Sequence, residues 1–352
     1  MDLDKILQYA VESKASDIHL TAGLPPMLRI NGELVPISNW EPLNAQELAT
    51  CLLGLVNPVQ KSILEKKGQV DFSIGKKGMA RFRVNVFSQR GTLACAMRLI
   101  PTEIMSIEAL GLPSSIRSLT EKTRGMVLVT GPTGSGKSTT IASLIDIINT
   151  ERNCHIITLE DPIEFLHRHK RSIINQREIG VDSSSFADAL RAALRQDPDV
   201  ILVGEMRDLE TISTAISAAE TGHLVFATLH TNDSVQTVDR IIDMFPPHQQ
   251  QQIRIQFAAV IQAVISQQLL PRIDMPGRIL AVEVMIATPA IRNLIREAKT
   301  HQIYSIIQTS AKMGMQTMDA CLKDLYLRHI VSFQEALFRA MDQEEFKKLA
   351  NL

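Results

Sequence analysis

The chain has 352 residues, 45% of them hydrophobic and only 4% aromatic, and a net charge of −1. That length predicts two domains or one large one, with a mostly aliphatic core. The near-zero charge argues against a broad nucleic-acid footprint, which needs clustered Lys and Arg. Cys51, Cys95, Cys154 and Cys321 lie far apart without a CxxC pair, so neither a zinc site nor a disulfide framework is indicated, and reduced thiols fit best. The first residues, MDLDKILQYAVESK, are charged throughout and lack a secretory apolar region. No run reaches the ~18 apolar residues of a membrane span. The nearest, Phe257–Leu270, is broken by Gln262, Gln267 and Gln268. The expectation is a soluble cytoplasmic protein that meets a membrane only through partners.

In chain order, residues 3–13 predict an amphipathic helix with Leu3, Ile6, Leu7 and Ala10 on one face. Ser16–Leu20 alternates as a strand does. Leu28–Ile30 and Glu33–Pro36 flank Asn31-Gly32, a strong hairpin signal. Residues 44–66 read as helical. Val70–Ile74, Arg81–Phe87 and Leu93–Leu99 then predict an antiparallel sheet, so residues 1–100 form an α+β domain. Pro101, Gly111 and Pro113 mark 101–113 as a linker. From 114 to 352 the pattern changes. The apolar runs Met126–Thr130, His155–Leu159, Val200–Val203 and Leu224–Thr228 alternate with helical segments at 137–150, 186–195 and 208–221. That alternation predicts an α/β fold, a parallel sheet covered by helices on both faces. Residues 247–270 and 288–351 read as mostly helical.

Gly131-Pro-Thr-Gly-Ser-Gly136-Lys137-Ser138 fits GxxxxGK[ST] between the strand MVLVT and the helix STTIASLIDII, the context a phosphate-binding loop requires. Glycines let backbone N–H groups converge on phosphate oxygens, and the following helix adds its positive end. The cofactor-binding set is therefore Gly131, Pro132, Thr133, Gly134, Ser135, Gly136, Lys137, Ser138 and Thr139. Lys137 would reach the β- and γ-phosphates of ATP, and Ser138 would ligate Mg²⁺.

Such a loop needs an acid at the end of a neighbouring strand. Val200-Ile-Leu-Val-Gly-Glu205 supplies one, with Gly204-Glu205 in place of the usual aspartate. Glu160, Asp161 and Glu164 supply another group after His155–Leu159. Glu205 is assigned to Mg²⁺, through water, and Glu164 to the attacking water. The residues alone leave these two roles interchangeable. Thr228 and His230 end a further strand where a γ-phosphate sensor would sit. His223 lies at its opposite end, away from that phosphate unless it faces a neighbouring subunit.

These residues resemble the ATPases of type II secretion and type IV pili, most closely their pilus-retraction members. Ala15-Ser-Asp-Ile-His-Leu20 is similar to the amino-terminal motif of that family. Leu159–Phe165 is similar to its Asp box, Val203–Asp208 to its Walker B segment and Thr221–Asn232 to its His box. Ala290-Ile-Arg-Asn-Leu-Ile-Arg-Glu297 is similar to the retraction signature, and the tetracysteine insert of assembly members is missing. The resemblance implies an amino-terminal PAS-like domain, a carboxyl-terminal RecA-like domain with a helical end, and a homohexameric ring that uses ATP and Mg²⁺. It implies Glu164 as catalytic glutamate, Glu205 as Walker B glutamate, and functional His223 and His230. It also implies that Arg83 and Arg98 swing onto the nucleotide, with Arg278 a weaker candidate of that kind. Its implied partner is an inner-membrane pilus platform protein, with no direct nucleic acid. In Ala290–Glu297 the spacing of Ile291, Leu294 and Ile295 reads as core packing, which leaves Arg292, Arg296 and Glu297 free for a partner. A RecA-like nucleic-acid translocase and a slow ATP-binding switch are the competing readings.

Overall fold

The computed structural model describes residues 1–30, 32–76, 79–100 and 103–349. Asn31 of the expected hairpin turn, and Pro101 and Thr102 of the expected linker, lie outside the described residues. The chain divides into two units, one of Met1–Glu103 with Glu164–Leu166, the other of Ile104–Ile163 with His167 onward.

In the first unit, α1 (Leu3–Glu12) starts on Asp2, whose side chain accepts from the Lys5 N–H, and buries Leu3, Ile6, Leu7 and Ala10. The sheet is antiparallel throughout, in the order β3-β2-β1-β6-β5-β4. Its strands are β1 (Asp17–Leu20), β2 (Met27–Ile30), β3 (Glu33–Pro36), β4 (Gln69–Lys76), β5 (Ala80–Gln89) and β6 (Thr92–Ile100). The segment 44–66 is two helices rather than one, α2 (Ala45–Leu53) and α3 (Pro58–Lys67). The break is chemical. Asn57 and Gln60 form a reciprocal capping box around Pro58, which cannot continue a helix from upstream but can open one.

The second unit is built on a seven-stranded sheet in the order β13-β12-β7-β11-β10-β8-β9. The strands are β7 (Gly125–Thr130), β8 (His155–Glu160), β9 (Ile173–Glu178), β10 (Val200–Val203), β11 (Leu224–Leu229), β12 (Ile261–Pro271) and β13 (Arg278–Ile286). All neighbours are parallel except β12 and β13. Alternate residues of β7 feed opposite faces. Met126 and Leu128 join one apolar cluster with α5 (Phe186–Ala193), α6 (Leu209–Glu220), α7 (Ser234–Asp243) and α8 (Pro247–Val260). Val127 and Val129 join the other with α4 (Lys137–Glu151) and the 3₁₀ turn Ser114–Glu121. Ile107 and Leu112, from the segment expected to link domains, are buried in this second cluster. The carboxyl-terminal part is helical, as expected: α9 (Pro289–Arg296), α10 (Ile303–Thr309), α11 (Met318–Leu327), α12 (Phe333–Arg339) and α13 (Gln343–Leu349).

The expectation of helix over 247–270 holds only to Val260. From Ile261 the chain is a strand paired in parallel with β7 and antiparallel with β13. Val264 and Ile265 are β-branched and wholly buried in that sheet, and pairing on both sides outweighs the helical start. No helix among the described residues is long and apolar enough to cross a membrane.

Candidate active site

The loop 131–136 follows the fully buried β7 at the carboxyl edge of the sheet, where α/β sheets hold ligands. Gly131 has φ +141° and lies so close to β12 that an added Cβ would stand 2.2 Å from the Gln267 carbonyl oxygen. Gly136, at φ +89°, opens α4 with no side-chain cap, so the first N–H groups of that helix stay available to an anion. The Lys137 Nζ donates to the Gly131 and Pro132 carbonyls at 2.8 and 3.0 Å, which holds an ammonium at the mouth of the loop. Ser138 and Thr139 follow on the first turn of α4. The cradle therefore fits a polyphosphate in three ways. Its backbone is close-packed on β12, its helix end is uncapped, and its one cation is in place.

β10 does not neighbour β7; β11 lies between them. The acid beyond β10 still comes within electrostatic reach of the loop. Gly204 passes so close to β8 that a Cβ there would be 3.0 Å from the Leu159 carbonyl oxygen. The Gly204 carbonyl accepts from the Thr228 hydroxyl, and the Gly204 N–H donates to Leu159. Glu205 then accepts from Arg207 Nε at 2.7 Å and lies 3.0 Å from His230 Nε2. Burial pushes the Glu205 carboxyl up, but the Arg207 hydrogen bond, with the charges of His230 and Lys137, holds it below its ordinary 4.5. It is thus an anion at neutral pH, beside the phosphate loop, and suited to a hydrated divalent cation.

Of the acids after β8, Glu160 accepts from Thr158 at 2.6 Å and from Gln176 Nε2 at 3.2 Å. Asp161 precedes a cis peptide to Pro162 and contributes to the charge environment of Arg207. Glu164 is exposed and goes with the first unit, although the chain on both sides of Glu164–Leu166 belongs to the second.

His223 stands before the first residue of β11, with Nδ1 2.9 Å from the Ala218 carbonyl oxygen. Its own carbonyl accepts from Gly125 at the start of β7. The six residues of β7 put it roughly 20 Å from the phosphate loop. In the first unit, Arg83 and Arg98 are register partners on β5 and β6. Arg98 Nε donates to Asp17 at 2.8 Å, whereas Arg83 is exposed without an ion pair among the described residues. Asp17 of the Ala15–Leu20 motif thus anchors an arginine. Arg278 begins β13.

Two expectations change. Arg292 is not free for a partner. Its guanidinium donates to the Ala258 and Ala259 carbonyls at 2.6 Å each and to Ala287 at 3.2 Å, closing the carboxyl end of α8. Gln267, which the sequence presents only as a polar break in an apolar run, and Ser266 beside it both contact the loop strand and loop. Ser266 accepts from Thr130 at 2.9 Å and Gln267 Nε2 donates to the Ser135 carbonyl at 2.9 Å. Arg207 is a further site residue, beyond those the sequence singles out. Its signals in the sequence are its spacing of two from Glu205 and its place in the segment Val203–Asp208.

Fold and site define a RecA-like P-loop ATPase, with one strand between the loop strand and the acid strand. The profile of the type II/IV secretion system protein family matches residues 1–337. The type IV pilus retraction ATPase PilT of Pseudomonas aeruginosa is 47% identical over 98% of this chain and 100% of its own length. A twitching motility protein of Neisseria gonorrhoeae is 47% identical over 94% of this chain and 90% of its own. Among solved structures, the pilus retraction motor PilT with bound ADP superposes with a TM-score of 0.92. It is 50% identical, with 99% of each chain covered. The chain belongs to the type II/IV secretion system protein family, within which it stands with the pilus-retraction ATPases.

Proposed function

We propose that the chain is a homohexameric motor that hydrolyses Mg·ATP to power type IV pilus retraction. It would work at the cytoplasmic face of the inner membrane, against a pilus platform protein. One observation carries the chemical part: a lysine-bearing loop and an ionised, hydrogen-bonded Glu205 share one sheet edge. In this reading the amides of 131–136 and the amino end of α4 hold the phosphates, and Lys137 offsets their charge. Ser138 and Glu205 would hold Mg²⁺, which neutralises charge on the phosphoryl group. His230 would stand near the terminal phosphate. Glu164 would orient the attacking water, and Arg83 and Arg98 would stabilise charge in the transition state. His223 would serve a contact between subunits.

The test is turnover of the purified chain with Mg·ATP. Glu164→Ala lowers it by about 100-fold or more if the carboxylate positions water, in the range of general-base losses. A Glu164→Ala protein with the wild-type rate removes that role. Sedimentation in the presence of nucleotide reads the ring, and a persistent monomer contradicts it.

A further inference from the structure

Gln267 has no exposed surface and stands on β12 opposite Val282 of β13. Two and four residues earlier on the same strand face, Ile265 and Ala263 belong to the apolar cluster around α4. A Leu or Met would continue that face. The amide instead gives one donor to the Ser135 carbonyl at 2.9 Å, while its Oε1 is buried without a partner among the described residues. A buried acceptor left unmade opposes folding, so strand packing alone does not explain the residue.

The peptide it grips does. The unit joining Ser135 to Gly136 is planar and trans, so its C=O and N–H point in opposite directions. Drawing the Ser135 carbonyl towards β12 turns the Gly136 N–H away from β12. Were that unit reversed, a carbonyl would face the bound anion. Gly136 itself offers little resistance to such a turn, because its φ of +89° is open to glycine in either sense. The neighbouring approach is close as well: an added Cβ on Gly136 would lie 3.3 Å from Gln267 Nε2.

We infer that Gln267 is a positioning residue for nucleotide, locking the Ser135–Gly136 peptide so that an N–H of the loop faces the phosphates. The inference rests on the loop binding nucleotide, and the two can fail separately. The experiment titrates Mg·ADP, carrying a fluorescent ribose label, into the full chain and two variants, with melting curves of each. The wild type binds; a wild type that does not bind contradicts the ATPase reading itself. Gln267→Met keeps the volume and loses the donor. Its Kd rises about tenfold or more, while its nucleotide-free melting temperature equals or exceeds that of the wild type. Gln267→Glu sets a carboxylate against the Ser135 carbonyl. It binds more weakly still at pH 8 and recovers at pH 5.5 relative to wild type, as the protonated acid becomes a donor. Binding by Gln267→Met within twofold of wild type overturns the inference. So does a loss in affinity matched by an equal loss of stability, or a Gln267→Glu defect indifferent to pH.

Discussion

Glu205 keeps its charge because of neighbours two and twenty-five positions along the chain. Arg207 donates to it and His230 lies beside it. Removing Arg207 leaves burial less opposed, so the Glu205 carboxyl rises. If Glu205 must be ionised for turnover, Arg207→Ala moves the acid limb of the pH–rate profile towards neutrality. An acid limb that stays in place shows that another group sets it. His167 makes the opposite case. Burial, outweighing the nearby Asp146, pushes its imidazole down to about 4 from 6.5. Its Nδ1 is buried without a partner among the described residues. Between those values the unfolded chain binds the proton and the folded chain does not. Stability is therefore complete above pH 6.5 and falls as the pH drops towards 4, by on the order of 3 kcal/mol. Denaturant titrations at pH 7 and pH 4.5 measure this, and His167→Phe flattens the difference. An equally steep loss in that variant assigns it elsewhere.

Among the elements, legibility tracked how local the determining contact is. The phosphate loop was readable because strand, glycines and helix follow one another without interruption. The acid beyond β10 was readable from an apolar run ending in Glu205. β12 was not. Nothing between Pro247 and Pro271 breaks a helix, and Gln262, Gln267 and Gln268 look like interruptions of an apolar stretch. The partner that explains Gln267, Ser135, is 132 positions away. β9 is hidden for a similar reason: Asn175, Gln176 and Arg177 read as loop, and only their pairing with β8 makes them a strand. The retraction signature was half legible. Ile291 and Ile295 are wholly buried, as their spacing predicts. Arg292 turned inward because α8 ends at that point with carbonyls needing donors. Arg292→Ala leaves those carbonyls short and loosens the α8–β12 junction. The expected loss is about 1–3 kcal/mol, read by denaturant unfolding. An unchanged midpoint would return Arg292 to the role of a surface contact.

For the whole molecule, the parallel-rich sheet follows from the change of pattern near residue 101 and is in the structure, which divides into two units with Ile107 and Leu112 of the expected linker buried in the core of the second. The position of Glu164–Leu166 in the first unit had no sequence signal, because its neighbours on both sides read as part of the second. A strain lacking this chain carries more surface pili and does not twitch, and a strain without change in either contradicts a retraction role.

If the loop from Gly131 to Ser138 holds a nucleoside triphosphate and its hydrolysis is the activity, turnover depends on Lys137. Phosphate release from Mg·ATP by wild type and Lys137→Ala, purified alike and matched in melting temperature, tests it most directly. The wild type turns over saturably and the variant loses about 100-fold or more, because one cation at the terminal phosphates is gone. Equal turnover by the two proteins would contradict it.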